Sequence, residues 1–297
     1  MNIILENLLA AKKVLLADGA MGTRLQDAGL EPGQAPESLN LTRPEVPAGI
    51  AAEYIAAGSD LVHTNSFGGS PLMLAAHGLA DQCEEINRAA AAAAVAGAAG
   101  GGLVSGSIGP CGRLLTPYGD VDPDEVLDGF RIQAAALAAG GVDLLTVETM
   151  TDLREAVLAV TAAREAIGKG IVLASLTFEP TPRGWFTIVG NDPASAAHDL
   201  AAAGVDAVGS NCGQGTEGML SVAREFGRVT DMPLLIQANA GLPVLQGGEV
   251  HYPETPGDMA EALPDLLKAG VRIIGGCCGT TPGHIAALRG VLDQYKG

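Results

Sequence analysis

Hydrophobic positions along this chain fall in short continuous runs, not in the alternating pattern of half-buried strands. Eight such runs stand out, at 14–18, 60–65, 103–108, 143–148, 171–178, 206–211, 234–239 and 271–275. Between them lie alanine-rich helical stretches at 46–57, 81–98, 124–139, 152–167, 193–203, 217–230 and 258–269. Apolar strands separated by helices predict a parallel sheet covered on both faces. Eight such units in 297 residues fit an α/β fold of the (β/α)8 TIM barrel type better than an open doubly wound sheet. No linker or composition break divides the chain, so a single domain over 1–297 is expected.

The joints between units separate two ends of the barrel. AAGSD (56–60), AAGGVD (138–143), AAGVD (202–206) and KAGVR (268–272) each end a helix at glycine and begin a strand almost at once. That is the short αβ loop of a barrel's lower face. Polar residues collect at the opposite strand ends: Asp18, Asn65, Glu148, Asn211, Cys212, Asn239, Cys277 and Cys278. Barrel enzymes place their chemistry at that end. No GxGxxG or Walker pattern follows any strand, which removes the common nucleotide-binding folds.

Charge narrows the partners. A formal net charge of −17 argues against nucleic acid and against anionic membrane surfaces. The opening MNIILENLLAAKKV carries Glu6 inside its apolar run and its lysines after it, the wrong order for a secretory leader. The longest uncharged stretch, Ala89 to Cys111, is alanine and glycine, so no membrane span is expected. Five cysteines in a chain of this length indicate free thiols in a reducing cytoplasm.

The thiols themselves are placed unusually. In VRIIGGCCGTTPGH (271–284) a short strand breaks at Gly275-Gly276, presents Cys277 and Cys278, and leads into a helix start at Thr280-Thr281-Pro282. Cys212, in GSNCGQG, stands at another strand exit before glycine. Three thiolates with no evident fourth protein ligand resemble a catalytic zinc site, since structural sites close the tetrahedron with four. Free cysteine is also a small hydrophobe that simply packs. On spacing alone the two readings stand level.

Two carboxylates join the cysteines at the strand exits. Asp18 in ADGAMGT and Glu148 in VETMTD are each in position to cap a helix. Beside three thiolates they have another use, holding an ammonium group. The backbone of Gly19, Ala20, Met21 and Gly22 can offer N–H groups to a carboxylate. Together these describe a site for an amino-acid thiol.

The segments DGAMGT (18–23), GSDLVHTNSFGGSPLML (58–74), GSIGP (106–110), VETMTDLREA (147–156), SNCG (210–213), QANAGLP (237–243) and GGCCGTTPGHI (275–285) carry a resemblance. The chain resembles the homocysteine S-methyltransferase family, and most of all the homocysteine-binding barrel of cobalamin-dependent methionine synthase, in register from about 14 to 292. The resemblance implies Zn2+ held by Cys212, Cys277 and Cys278. It implies homocysteine bound by Asp18 and Glu148 through its amino group, with Asn239 beside the metal. The reaction it implies is attack of the homocysteine sulfur on an activated methyl group, forming methionine.

The donor is read from departures. Relatives that use betaine need an aromatic cage for a quaternary ammonium. Aromatics make up 3% of this chain, and Phe67, Tyr118 and Trp185 are those expected near the mouth. Thr149 follows the glutamate where betaine enzymes carry an aromatic residue, and the sequence ends at Gly297 without their C-terminal extension. Enzymes using S-methylmethionine have a similar length. ETMTDLREA favours the methionine-synthase branch, whose methyl comes from methylcobalamin. No corrinoid-binding DxHxxG pattern occurs, so a separate corrinoid protein is the expected partner. A thiol-binding subunit that works only by docking such a partner is the competing reading.

Other polar residues read as structural. Cys111 and Cys83 are expected to pack. His63, His77, His198, His251 and His284 lack metal-ligand spacing. Arg154, Glu155, Arg164 and Glu165 read as a solvated helix face.

Overall fold

The computed structural model describes residues 2–247 and 249–295. All eight expected strands form: β1 Leu15–Leu16, β2 Leu61–His63, β3 Leu103–Ile108, β4 Leu144–Met150, β5 Ile171–Leu176, β6 Ala207–Asn211, β7 Leu234–Ala238 and β8 Val271–Gly276. They build one all-parallel sheet in the order β1-β8-β7-β6-β5-β4-β3-β2. This is the TIM barrel that the apolar runs predict.

Seven helices fall where expected, with ends moved by a residue or two: α2 Glu45–Ala56, α3 Cys83–Ala98, α4 Pro123–Ala139, α5 Leu153–Ile167, α6 Pro193–Ala203, α7 Thr216–Val229 and α8 Pro256–Lys268. The helix opened by Thr281-Pro282 is α9, Pro282–Leu292. An additional helix, α1 Ile3–Lys12, precedes the barrel. Asn2 caps it through Oδ1, and its Nδ2 ties the helix to the carbonyls of Lys169 and Gly170 at the lower face. Two hairpins were also absent from the sequence reading: Glu179–Thr181 with Gly184–Phe186, and Val244–Gln246 with Glu249–His251.

Alternation along the strands sorts the core into two shells. Leu16, Val62, Leu145, Val172, Val208 and Ile274 join the large cluster packed with the helices. Leu15, Leu61, Leu144, Leu173, Leu235 and Ile273 form a second cluster with Leu5 of α1, which closes the barrel floor. Higher on the same inward parity the residues turn polar: Ser105 and Ser107, Thr146 and Glu148, Ser175, Asn211, Gln237. The barrel is therefore apolar below and polar at the mouth.

No ladder joins β1 to β2; one backbone bond, from the Asp60 N–H to the Leu16 carbonyl (2.6 Å), and two carboxylates close that seam. Near the floor, Asp60 accepts the Leu16 N–H (2.8 Å) and pairs with Lys12 (2.5 Å) and Arg289 (2.8 Å). Near the mouth, Asp18 accepts the His63 N–H at 2.7 Å.

The charged cluster of α5 is a solvated face only in part. Glu155 is buried and accepts the Cys111 N–H at 2.7 Å. Arg164 clamps the carbonyls of Gly168, Gly170 and Gly204 and the Asp206 carboxylate. Arg154 bridges Asp152 and the Thr116 carbonyl. Arg154 and Glu165, paired with Asp152 and Arg131, are exposed as expected. These side chains lie where α5 meets neighbouring loops, so they bond backbone groups rather than each other.

Candidate metal centre and substrate cavity

Cys212 leaves the end of β6 with φ of 60°. Left-handed backbone costs a non-glycine residue about 1–2 kcal/mol, and here it turns the chain sharply into Gly213. Cys277 and Cys278 leave β8. The Cys277 N–H donates to the Ala238 carbonyl (2.7 Å), and the Cys278 N–H donates to Asn239 Oδ1 (3.0 Å). Gly279 holds φ of 77° beneath the Tyr252 ring, 2.1 Å from where a Cβ would stand. Only glycine meets both demands.

These turns bring three thiols together across 66 residues of sequence. Cys212 Sγ lies 3.8 Å from Cys278 Sγ, and all three Sγ atoms lie within 4.8 Å of one another. Among the described residues no other group of three Cys, His, Asp or Glu side chains has ligand atoms so close. Hydrogen bonding with the Cys212 and Cys277 thiols lowers the pKa of Cys278 below the ordinary thiol value, while the pKa values of Cys212 and Cys277 rise. The trio thus holds one negative charge easily and three only with a cation among them. Tetrahedral thiolates at ~2.3 Å from zinc stand ~3.8 Å apart, so the donor set fits that ion.

The sulfurs line a cavity of about 380 Å³ at the mouth of the barrel, with Gly19, Ala20, His63, Ser107, Glu148 and Thr149 in its walls. A wider hollow of about 750 Å³ lies at the opposite end beside Lys13, Lys268 and Arg272, away from the strand exits. Glu148 faces the cavity. Ser107 Oγ donates to its Oε1 at 2.5 Å and Asn211 Nδ2 to its Oε2 at 3.3 Å. Burial raises its pKa, against the charge of His63 and the Ser107 hydrogen bond.

The remaining site residues are placed differently. Asp18 is buried behind the wall, both carboxylate oxygens engaged by His63: the backbone N–H on Oδ2 and ring Nδ1 on Oδ1, each at 2.7 Å. Gly19 and Ala20 line the cavity, but the Ala20 N–H already donates to Thr280 Oγ1 (3.0 Å). Asn239 is buried against the Cys278 backbone and does not line the cavity. Of the three aromatics, Phe67 lines it, Tyr118 stacks under Arg154, and Trp185 packs on the core. Cys83 and Cys111 are buried, their thiols pushed up by burial to about 11 and about 12.

Three residues take a role at the site that sequence reasoning did not assign them. His63 is in the wall. Glu37, in the 3-10 turn Pro36–Ser38 before α2, lines the cavity and accepts the Gly68 N–H at 2.6 Å. Asn211 accepts the Thr149 N–H (2.7 Å) and the Ser175 hydroxyl (2.8 Å), and donates to Thr149 Oγ1 (2.7 Å). Its place among the polar strand ends was visible, but its linking role was not.

A (β/α)8 barrel with a thiol cluster and a buried carboxylate in one cavity at its mouth defines a narrow class. The homocysteine S-methyltransferase family model matches residues 15–292, and the chain belongs to that family. It is 35% identical to the methionine synthase of Mycobacterium tuberculosis over 305 residues, covering 96% of this chain and 25% of that protein. The methionine synthase of Mycobacterium leprae is also 35% identical, over 303 residues. The chain spans about a quarter of the length of these curated relatives. The metallated form of the Escherichia coli homocysteine methyltransferase MmuM superposes with a TM-score of 0.81 at 27% identity, over 96% of this chain and 99% of that one.

Proposed function

We propose that this chain methylates homocysteine to methionine at a zinc centre held by Cys212, Cys277 and Cys278, with the methyl group delivered by a corrinoid protein carrying methylcobalamin. The observation that carries the reading is the thiol cluster opening into the same cavity as Glu148. Thiol and ammonium of one small amino acid can then be held at once.

Zinc, when bound, supplies the charge that draws the proton from a thiol of pKa ~8.5, at a centre whose three thiolates leave it net −1. The chain's own residues do the placing. Glu148, fixed by Ser107 and Asn211, takes the substrate ammonium and so sets where the sulfur falls. Asp18 acts behind His63, and Asn239 steadies the Cys278 turn. The substrate sulfur then forms the S–CH3 bond while the methyl–donor bond breaks, its electron pair staying with the donor. Fixed geometry of this kind replaces an entropic search with an oriented encounter.

Identity to the mycobacterial methionine synthases supports the corrinoid donor. So does the wall, in which Phe67 stands without Tyr118 or Trp185 to cage a quaternary ammonium. A second reading, a free small donor such as betaine or S-methylmethionine, is favoured by the end-to-end match with the Escherichia coli homocysteine methyltransferase. Methionine formation from labelled homocysteine, with methylcobalamin, betaine and S-methylmethionine each as sole donor, decides between them. Turnover with betaine alone would overturn the corrinoid assignment. No zinc in the purified protein would remove the metal from the account.

A further inference from the structure

We propose that His63 sets the cavity's selectivity for an α-amino acid: its Nε2–H receives the substrate carboxylate while Asp18 holds the ring from behind. The assignment rests on the reading of the cavity as a homocysteine site.

His63 ends β2 and lines the cavity, 7% exposed. Asp18 grips it at the backbone N–H and at Nδ1, each at 2.7 Å. Nε2 is the ring's one remaining polar atom, and it is buried with no partner. Buried polar atoms of native proteins are nearly always paired, and an orphan marks a role or a missing ligand atom. Charge points the same way. Burial lowers the basicity of the imidazole, but Asp18 and Glu148 outweigh it and carry its pKa up to about 9. The ring is therefore a cation at neutral pH, with an N–H to give.

Homocysteine brings an ammonium and a carboxylate. Glu148 answers the first. For the second, no lysine or arginine among the described residues lines the cavity, and its other charged wall residue, Glu37, is an acid. The Ala20 N–H is committed to Thr280. His63 is the basic group left.

The test pairs truncated ligands with a shape-conserving variant, using zinc-loaded protein and calorimetry. His63→Asn keeps an amide near Nδ1 for Asp18 but removes the Nε2 donor, whereas His63→Gln places an amide near Nε2. The ligands are homocysteine, 3-aminopropanethiol, which lacks the carboxylate, and 4-mercaptobutanoate, which lacks the ammonium. A charge-assisted hydrogen bond predicts that His63→Asn weakens homocysteine about tenfold or more. It should leave 3-aminopropanethiol unchanged and 4-mercaptobutanoate weakened as homocysteine is, with partial recovery in His63→Gln. A loss confined to ligands that carry the ammonium, or equal for all three, overturns the assignment. Homocysteine that fails to bind wild type overturns both this inference and the functional reading; homocysteine bound equally by wild type and His63→Asn overturns the inference alone. Should His63→Asn misfold, the wild type still decides: in histidine-labelled protein the Nε2 proton must move downfield with homocysteine and stay put with 3-aminopropanethiol.

Discussion

Asn211 Nδ2 donates to Glu148 Oε2 at 3.3 Å while lying 3.9 Å from Cys277 Sγ, so a single amide touches both halves of the site. Its oxygen meanwhile accepts from the Thr149 backbone and from Ser175. Asn211→Ala leaves those donors buried without a partner, at about 1–3 kcal/mol each. We expect a lower melting temperature and a KM for homocysteine raised about tenfold or more, with zinc retained because all three thiol ligands remain. Unchanged KM in a folded variant would remove Asn211 from the account.

The Asp18–His63 pair makes stability depend on pH in a set direction. The folded pKa of His63, about 9, lies above the ordinary imidazole value of 6.5. A group whose folded pKa is raised binds its proton more tightly in the native state, so its contribution is complete below about 6.5 and fades as pH rises through 9. Wild type should therefore exceed Asp18→Asn by up to about 3 kcal/mol at pH 6, with the gap closing toward pH 9.5. Urea melts at the two pH values check this, and a gap constant across the range contradicts it.

Thiol reactivity should divide the five cysteines. Cys83 and Cys111 are buried, with thiols pushed up to about 11 and about 12, so little of the reactive thiolate forms. In metal-free folded protein a thiol reagent should modify Cys278, the one thiol of the trio whose pKa is lowered, ahead of every other cysteine and spare Cys83 and Cys111. Zinc should then protect Cys278, as read by mass spectrometry of digested protein. Prompt modification of Cys111 in the folded state would contradict the packing described.

Gly279 tests the turn that aims Cys278. Alanine there meets both the positive φ and the Tyr252 ring, a combined cost of about 2–4 kcal/mol. Gly279→Ala should lower the melting temperature and weaken zinc retention against a chelator. A variant that keeps its zinc as wild type does would show that the turn is softer than its geometry.

How much of this was legible in the sequence follows from where each signal resides. The strands were visible because a parallel barrel buries both faces, which leaves apolar runs such as 171–176 that little else produces. Cys277 and Cys278 were visible because the glycines around them punctuate a strand exit. The seam was not, because Asp18 and His63 meet across 45 residues and nothing local marks the histidine. Glu155 read as solvent-facing because a run of helical charges looks alike whether it faces water or a neighbouring loop's N–H. α1 passed unseen because its leucines serve the barrel floor, a surface that exists only after closure. The hairpin strands are three residues each, too short to show a period.

The central claim is that three cysteines hold a zinc that receives the homocysteine sulfur. Zinc-edge absorption on purified reduced protein, with and without homocysteine, tests it most directly. One zinc per chain with three sulfur neighbours, rising to four when homocysteine is added, is the predicted result. A shell that ignores homocysteine, or protein that binds no zinc, would contradict the account.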